Sequence, residues 1–184
     1  MTYEVVEDRR TAFCAPTERY REVVTAGLQA WGLPVQAFDD AANDFPPRIE
    51  IDHVFIYGTL LDGQRNAAVI PDELVSSSRP ASTAGELFDT GYGFPAMTLT
   101  DSANLVVRGA CLQITHLPGL LASLDQLEGF GGYDDADALF KRIIVNLNLP
   151  DGEARRAWCY VAANGDLLRE PIEHGCWVTH VGMR

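Results

Sequence analysis

The sequence predicts an α+β fold, with a main domain over residues 51–184 and an N-terminal helical extension and linker over residues 1–50. Beyond residue 50, several short segments rich in β-branched and aromatic residues are typical of strands, whereas one segment carries leucines at helical spacing. These strands and helices do not alternate regularly, so the pattern disfavours a doubly wound parallel sheet. A chain of 184 residues is long enough for one domain with a substantial core.

The extension contains one predicted helix, over residues 17–31. Thr17 can cap its first turn, and Gly32 follows as a stop. The apolar residues of the segment recur at three- and four-residue spacing and form one stripe: Tyr20, Val23, Val24, Gly27, Leu28 and Trp31. The stripe needs a partner, so the helix is expected to pack on the main domain or on another subunit, which leaves a homodimer open. Residues 39–47 are typical of a linker.

The main domain opens with a predicted strand over residues 53–57, which stops at Gly58. Further strands are predicted over residues 83–88 and 105–114, and the serines at 76–78 are typical of a loop. Residues 117–128 are predicted to form a helix that ends at Gly129, because their leucines mark one face: Leu117, Leu120, Leu121, Leu124 and Leu127.

A hairpin follows. Residues 142–149 alternate in polarity, with the apolar side chains Ile143, Val145, Leu147 and Leu149 on one side and Arg142, Asn146 and Asn148 on the other. Residues 150–152, Pro-Asp-Gly, form a predicted turn, and residues 154–162 are the expected partner strand.

The charge balance limits the partners of the protein. Its formal net charge is −12, so phosphate backbones and anionic membrane surfaces would repel it, and neither a nucleic acid nor a membrane partner is expected. No apolar run approaches the ~20 residues of a membrane helix. The N-terminus lacks the apolar region of a signal peptide, so the predicted location is cytoplasmic.

The cysteines do not suggest a disulfide framework or a metal site. Cys111 and Cys159 lie in apolar stretches and are predicted to act as small core residues. His174, Cys176 and His180 match no standard zinc spacing, so no metal site is predicted. The segment Gly91-Tyr92-Gly93 lacks the helix that a dinucleotide-binding loop requires.

Glu128 lies where a carboxylate would have an unusual environment. It falls near the apolar face marked by Leu121 and Leu124, at the C-terminal end of the predicted helix, where the helix dipole disfavours an anion. Partial burial and the dipole would both raise its pKa, which suits proton transfer near neutral pH. The alternative is a surface glutamate beside a capping glycine, with its side chain in water.

Several segments carry recognisable motifs in a fixed order. Ile56-Tyr57-Gly58-Thr59-Leu60, with Gly63 and Asn66 after it, matches a YGTL-x-x-G-x-x-N pattern, and residues 124–129 match L-D-x-x-E-G. Further matches are Gly93-Phe94-Pro95-Ala96, Val107-Arg108-Gly109-Ala110, Phe140-Lys141-Arg142 and Gly175-Cys176-Trp177. From about residue 54 to 177, the chain therefore resembles the γ-glutamylcyclotransferase-like superfamily, which includes the AIG2-like proteins.

The resemblance implies a fold, a reaction and a site. The fold is a small mixed β-barrel with flanking helices. The reaction is intramolecular aminolysis, in which the α-amine of a γ-glutamyl group attacks its own γ-carbonyl, releases an amine or amino acid and forms 5-oxoproline, without a metal or cofactor. Glu128 would be the general acid and base. The substrate would be bound by Tyr57, Gly58, Thr59, Leu60, Pro95 and Phe140, with the loop N–H groups and the Thr59 hydroxyl on the γ-glutamyl head.

The chain departs from the family pattern in three places. Phe140 stands where a tyrosine is common, so a hydroxyl near the substrate is missing unless Tyr133 replaces it. Ala110 stands where glutamate is common, which is expected to be structural. The acidic, glycine-rich insert over residues 129–137 is either a specificity loop or a solvated loop. As a specificity loop it would favour an amine-bearing leaving group.

Two other interpretations stay open at this point. The chain could be a catalytically inactive binding or interaction module on the same fold, with the extension mediating association. It could also be an amide-processing enzyme that removes a γ-glutamyl cap in a biosynthetic pathway, which keeps Glu128 but changes the leaving group.

Overall fold

The structure, a computed structural model, describes residues 51–100, 102, 104–132 and 135–183. Its strands are β1 (His53–Ile56), β2 (Val75–Ala84), β3 (Glu86–Asp89), β4 (Pro95–Thr98), β5 (Val106–Ile114), β6 (Phe140–Asn148), β7 (Ala154–Ala162) and β8 (Glu170–Pro171). Its α-helices are α1 (Leu117–Glu128) and α2 (Trp177–Gly182), with single 3-10 turns at Ala67–Val69, Asp72–Leu74 and Gly165–Leu167. The helix predicted over residues 17–31 and the linker after it lie outside the described residues.

Five strands close into a barrel in the order β1-β5-β2-β6-β7. All neighbours are antiparallel except β1 and β7, which run parallel and close the ring at Val54 and Trp158. The predicted fold class, a mixed β-barrel with flanking helices, is confirmed. The hairpin of β6 and β7 is confirmed as well, with its turn closed by the Gly152 N–H and the Leu149 carbonyl at 3.0 Å.

A second sheet of three strands, in the order β4-β3-β8, lies beside the barrel. The chain passes from β2 into β3 at Gly85, where a Cβ atom would lie 2.8 Å from the Thr98 carbonyl oxygen. The single strand predicted over residues 83–88 is therefore wrong, because this close approach divides the segment between two sheets.

The serines predicted to form a loop belong to strand β2. Ser77 and Ser78 pair with Gln113 and Leu112 of β5, and their side chains are exposed. The prediction failed because clustered serines are typical of turns and loops, whereas backbone pairing with β5 holds this segment extended.

Helix α1 has the predicted bounds and the predicted apolar face. Leu117, Leu120, Leu121 and Leu124 are buried, and Gly129 ends the helix in the left-handed conformation at φ 65°. Leu127 differs, because 38% of its side chain is exposed and it lies at the rim of a cavity described below.

Both faces of the central strands are buried. Alternate residues of β1, continued by Tyr57, and of β7 supply two clusters. Val54, Ile56, Trp158 and Tyr160 pack with the α1 leucines, whereas Phe55, Tyr57, Cys159 and Val161 pack with residues of the second sheet and α2. This double burial overturns one expectation, since Arg142, placed on the polar side of its strand by the alternation, is only 1% exposed.

Other expectations concern single residues and membrane passage. Cys111 and Cys159 are buried free thiols, as predicted. Within the residues that the structure describes, no helix has the length and apolar character needed to span a membrane.

Candidate functional site

A cavity of about 170 Å³ opens where the segment after β1, the start of β4, the end of α1 and the start of β6 meet. Every site residue predicted from the sequence lines it: Tyr57, Gly58, Thr59, Leu60, Pro95, Glu128 and Phe140. Residues far apart along the chain are therefore neighbours in space.

The loop after β1 forms one wall of the cavity. Its turn is closed by the Leu61 N–H, which donates to the Gly58 carbonyl at 3.1 Å. The backbone N–H groups of Gly58, Thr59 and Leu60 have no hydrogen-bond partner among the described residues. These groups can therefore donate to a carboxylate or to an oxyanion in the cavity.

Asn66 holds the same loop in place. Its side-chain Nδ2 donates to Thr59 Oγ1, and its backbone N–H donates to the Thr59 carbonyl, both at 3.0 Å. Because Thr59 Oγ1 accepts from Asn66, its own hydroxyl hydrogen remains available to a ligand. This pair of bonds gives a physical reason for the fixed spacing between threonine and asparagine in the motif.

Gly58 is required by a close approach rather than by a special backbone conformation. A Cβ atom at this position would lie 2.6 Å from Pro95 Cγ and 3.0 Å from Pro95 Cδ. The glycine thus lets the loop touch strand β4, and it brings two walls of the cavity together.

Tyr57 acts chiefly through its ring and backbone. Only 7% of the residue is exposed, and its hydroxyl donates to the Tyr160 carbonyl at 2.9 Å. Burial raises the pKa of this phenol well above its usual range. The side chain therefore braces β1 against β7 as a neutral group at the base of the cavity.

Glu128 is the acidic group of the cavity. It is partly buried, and burial raises its pKa from 4.5 to about 7. Its carboxyl receives no hydrogen bond from any residue in the described ranges. A carboxyl with this pKa is present in both protonation states at neutral pH, so it can accept a proton and return one.

A hydrogen-bonded network holds the last turn of α1. Asp125, three residues before Glu128, accepts from Arg142 Nη1 at 2.7 Å and from the Tyr160 hydroxyl at 2.6 Å. The guanidinium of Arg142 lies over the rings of Phe130 and Trp158, 5.3 and 5.4 Å from their centroids. The network ties α1 to β6 and β7, and it thereby fixes where Glu128 enters the cavity.

Phe140 contributes an apolar wall. It is 4% exposed, and its ring centroid lies 6.1 Å from that of Phe94. Tyr133, the residue that could supply the missing hydroxyl, lies outside the described residues. Tyr160 brings a hydroxyl close to the cavity, but that hydroxyl donates to Asp125.

Sequence reasoning missed several lining residues, namely Phe55, Ile56, Arg65, Asn66, Phe94, Leu127, Leu139 and Tyr160. Asn66, Phe94 and Leu127 stand inside the matched motifs and could have been named from them. Arg65 occupies an unspecified position of the first motif, so the motif gave no reason to name it. Tyr160 had no signal at all, because only the closure of the barrel brings β7 next to the loop after β1.

Comparison with known sequences identifies the relatives of the chain. The profile of the family described as "Gamma-glutamyl cyclotransferase, AIG2-like" matches residues 54–179. A protein of Niallia circulans named γ-L-glutamyl-butirosin B γ-glutamyl cyclotransferase is 36% identical over 121 residues, which cover 66% of this chain and 73% of that protein.

Comparison with solved structures supports the fold. YkqA from Bacillus subtilis superposes with a TM-score of 0.55 at 22% identity, over 72% of this chain, which spans only 41% of that protein. An AIG2-like protein from Mus musculus gives the same TM-score and identity, over 69% of this chain and 88% of that one. At these identities the likeness concerns the barrel and its flanking elements alone.

Proposed function

The chain belongs to the γ-glutamyl cyclotransferase, AIG2-like family, and we propose that it cyclises a γ-glutamyl amide in the cavity beside Glu128. The protein is a γ-glutamylcyclotransferase-like enzyme, whose reaction is intramolecular aminolysis that yields 5-oxoproline and a free amine or amino acid. The observation that carries the site assignment is that Glu128, with a pKa of about 7, shares one cavity with the unpaired N–H groups of residues 58–60.

The loop after β1 holds the γ-glutamyl head in this proposal. Its backbone N–H groups bind the α-carboxylate or the oxygen of the γ-carbonyl, and the Thr59 hydroxyl adds a donor. Pro95 and Phe140 give the apolar walls that keep water from the reacting carbon.

Glu128 moves the proton. Its carboxylate takes a proton from the α-ammonium, and the freed amine nitrogen attacks the γ-carbonyl carbon to form the ring C–N bond. The oxygen becomes an oxyanion facing the loop. When the oxyanion collapses, the original amide C–N bond breaks, and the Glu128 carboxylic acid protonates the leaving nitrogen. The regenerated carboxylate then takes the second proton from the ring nitrogen and passes it to the released amine, which leaves as an ammonium ion. Both protons lost by the α-ammonium therefore end on the leaving group, and the Glu128 carboxylate is restored.

Replacing Glu128 with glutamine tests this assignment. Purified wild-type protein should release 5-oxoproline from members of a panel of γ-glutamyl amines, γ-glutamyl dipeptides and γ-L-glutamyl-butirosin B. Glu128→Gln keeps the shape of the side chain but cannot take a proton, so the rate should fall on the order of 10²-fold or more. Glu173→Gln, at an exposed glutamate, is the matched control.

The outcomes separate the assignments. A Glu128→Gln protein that keeps the wild-type rate contradicts the role of Glu128. Release of 5-oxoproline from no member of the panel favours a binding module on the same fold.

A second candidate concerns the size of the leaving group. The name of the Niallia circulans relative describes a γ-glutamyl cyclotransferase of γ-L-glutamyl-butirosin B, which favours an enzyme that removes a γ-glutamyl cap from a larger molecule. A higher kcat/KM for γ-L-glutamyl-butirosin B than for every γ-glutamyl dipeptide of the panel would support this second candidate.

We also propose a cytoplasmic location and a homodimer. Buried free thiols at Cys111 and Cys159 fit a reducing compartment, and the apolar stripe of residues 17–31 requires a partner surface. Fractionation of cells and the mass of the protein in solution test the two statements.

A further inference from the structure

An aromatic surface extends from the cavity towards solvent. Phe94 lines the cavity, and the ring of Tyr92 stacks beside it with centroids 6.2 Å apart and planes at 24°. Tyr92 is 58% exposed, although it is a large aromatic residue. These two rings are called the aromatic shelf below.

The shelf is held by a rigid turn between β3 and β4. The Thr90 hydroxyl donates to the Phe94 carbonyl at 2.6 Å, the Gly91 N–H donates to Asp89 Oδ1 at 2.7 Å, and the Tyr92 N–H donates to Thr90 Oγ1 at 3.2 Å. Thr90 and Asp89 are fully buried. A ring presented on such a turn keeps its orientation without a ligand, which lowers the entropic cost of binding.

Two arginines lie against the shelf. The Arg65 guanidinium is 5.9 Å from the Phe94 centroid, and the Arg169 guanidinium is 4.3 Å from the Tyr92 centroid and donates to the Tyr92 hydroxyl. Both approach the turn at a glycine, since a Cβ atom on Gly93 or Gly91 would meet an arginine Nη1 at 3.3 Å. The glycines therefore make room for the guanidinium groups.

Neither arginine is neutralised by a carboxylate within the described part of the chain. Arg65 lines the cavity itself, whereas Arg169 lies against the Tyr92 ring. A guanidinium over an aromatic face still has N–H groups at its edge, which are suited to a carboxylate.

The position of the shelf defines what it would contact. If the γ-glutamyl head lies on the loop after β1 and its γ-carbonyl lies near Glu128, the lining residues left for the leaving group include Phe94, Leu139 and Arg65. The leaving group must occupy this side, and a long one must pass over Tyr92.

We propose that the aromatic shelf, with Arg65 and Arg169, is the subsite for a leaving amine that is an α-amino acid with a flat apolar side chain. The side chain lies on the rings, and the carboxylate pairs with Arg65, while Arg169 holds the Tyr92 ring in place. This inference rests on the proposed function, because it deepens the substrate choice of the same cavity. The proposed subsite prefers a leaving group with a carboxylate, whereas the acidic insert over residues 129–137 would favour an amine-bearing one.

Matched substrates separate the carboxylate from the ring. γ-Glutamyl-L-phenylalanine and γ-glutamylphenethylamine differ only in the carboxylate, and γ-glutamyl-L-alanine keeps the carboxylate without the ring. The wild-type kcat/KM should be higher for γ-glutamyl-L-phenylalanine than for either, on the order of 10-fold for the carboxylate and roughly 5-fold for the ring.

Variants should remove one preference at a time. Arg65→Gln should abolish the preference for the carboxylate, so kcat/KM should fall much more for γ-glutamyl-L-phenylalanine than for γ-glutamylphenethylamine. Tyr92→Ala should abolish the preference for the ring. Arg156→Gln removes one exposed positive charge on β7, opposite Asn146, and serves as the control for net charge.

Two outcomes of the kinetic comparison overturn the subsite. One is an equal loss for all three substrates in Arg65→Gln, which would place this arginine on the γ-glutamyl head instead. The other is a higher kcat/KM for amines that carry a second cationic group, which would favour the acidic insert as the specificity element.

Binding to Glu128→Gln distinguishes a failed subsite from a failed reaction. Calorimetric titration of this variant with the intact amides measures affinity without turnover. Stronger binding of γ-glutamyl-L-phenylalanine that is lost on adding Arg65→Gln supports the subsite even if wild-type protein releases no 5-oxoproline. Release of 5-oxoproline with equal kcat/KM for the three amides contradicts the subsite and supports the proposed reaction. Absence of both binding and turnover contradicts both.

Discussion

At the scale of single residues, Glu128 shows how the packing around a side chain changes its pKa. Its position in the sequence fits both a buried base and a surface glutamate beside a capping glycine. The structure places it near Tyr57 and Cys159, whose pKa values it raises further, and withdraws it from water, so its own pKa rises to about 7. The neutral form is favoured by the fold, and the charged form is needed for catalysis.

Because the folded state disfavours the charged form of Glu128, replacing this residue with a neutral one should increase the free energy of unfolding. The folded pKa of about 7 exceeds the ordinary value of 4.5, so between these pH values the folded state holds a proton that the unfolded state has lost. The contribution of Glu128 to stability therefore falls as pH rises through this window and is constant above it. Glu128→Gln should be more stable than wild type by up to about 3 kcal/mol at pH 8, and by much less at pH 5.

Urea denaturation at a series of pH values measures this difference. Glu173→Gln, at an exposed glutamate, is measured at the same pH values as the control for removing one carboxylate. A pH-independent difference for Glu128→Gln would mean that its carboxyl has an ordinary environment.

At the scale of elements, the loop after β1 depends on contacts with distant segments. Its motif residues are consecutive, but the reasons for them lie elsewhere: Thr59 is held by Asn66, and Gly58 touches Pro95 of β4. The helix α1 likewise ends where its leucines and Gly129 predict, yet its last turn is positioned by Arg142 of β6. The local sequence pattern therefore predicts where the loop and the helix lie along the chain, whereas contacts with distant segments determine how they are oriented.

Gly58→Ala tests the contact between the loop and β4. The added methyl group would lie 2.6 Å from Pro95 Cγ, so the loop must shift away. We expect a loss of about 1–3 kcal/mol in unfolding free energy from overpacking. The displaced N–H groups should also lower kcat/KM on the order of 10-fold or more.

A double-mutant cycle tests whether contact with Pro95 causes the stability loss of Gly58→Ala. Pro95→Ala removes the clashing atoms, so the stability loss in the Gly58→Ala/Pro95→Ala protein should be smaller than the sum of the two single losses. Gly165→Ala, at a glycine where an added methyl group would meet no atom within 4 Å, should be neutral. Additive losses would show that Pro95 is not what restricts position 58.

At the scale of the whole molecule, the barrel strands separate two hydrophobic clusters. One contains Trp158 and the leucines of α1, and the other contains Trp177 and residues of the second sheet. Because alternate residues of the same strands supply both clusters, neither can be lost while the barrel persists. The clusters should therefore unfold together, and the cavity between the loop and α1 should depend on both.

Leu124→Ala tests this cooperativity. Leu124 is fully buried in the first cluster, so its truncation should lower the unfolding free energy by about 2–5 kcal/mol. Fluorescence of two single-tryptophan proteins, retaining either Trp158 or Trp177, should report the same decrease. Leu99→Ala, at a residue that is 49% exposed, should change it by less than about 0.5 kcal/mol. A shift seen only with Trp158 would indicate two independent units.

By itself, the sequence determined the α+β class, the bounds of α1, the β6–β7 hairpin and, through its motifs, seven of the residues that line the cavity. These features follow from local periodicity, turn residues and short motifs, which act over a few positions of the chain. Only the tertiary structure decided that β2 includes the serines at 76–78, that β2 and β3 separate at Gly85, and that Arg142 is buried. It also decided that Arg65 lines the cavity and that the ring of Tyr92 stacks beside Phe94, which lines it. These outcomes depend on strand pairing and side-chain burial that involve segments far apart in the chain. A local sequence pattern does not indicate which distant segments become neighbours.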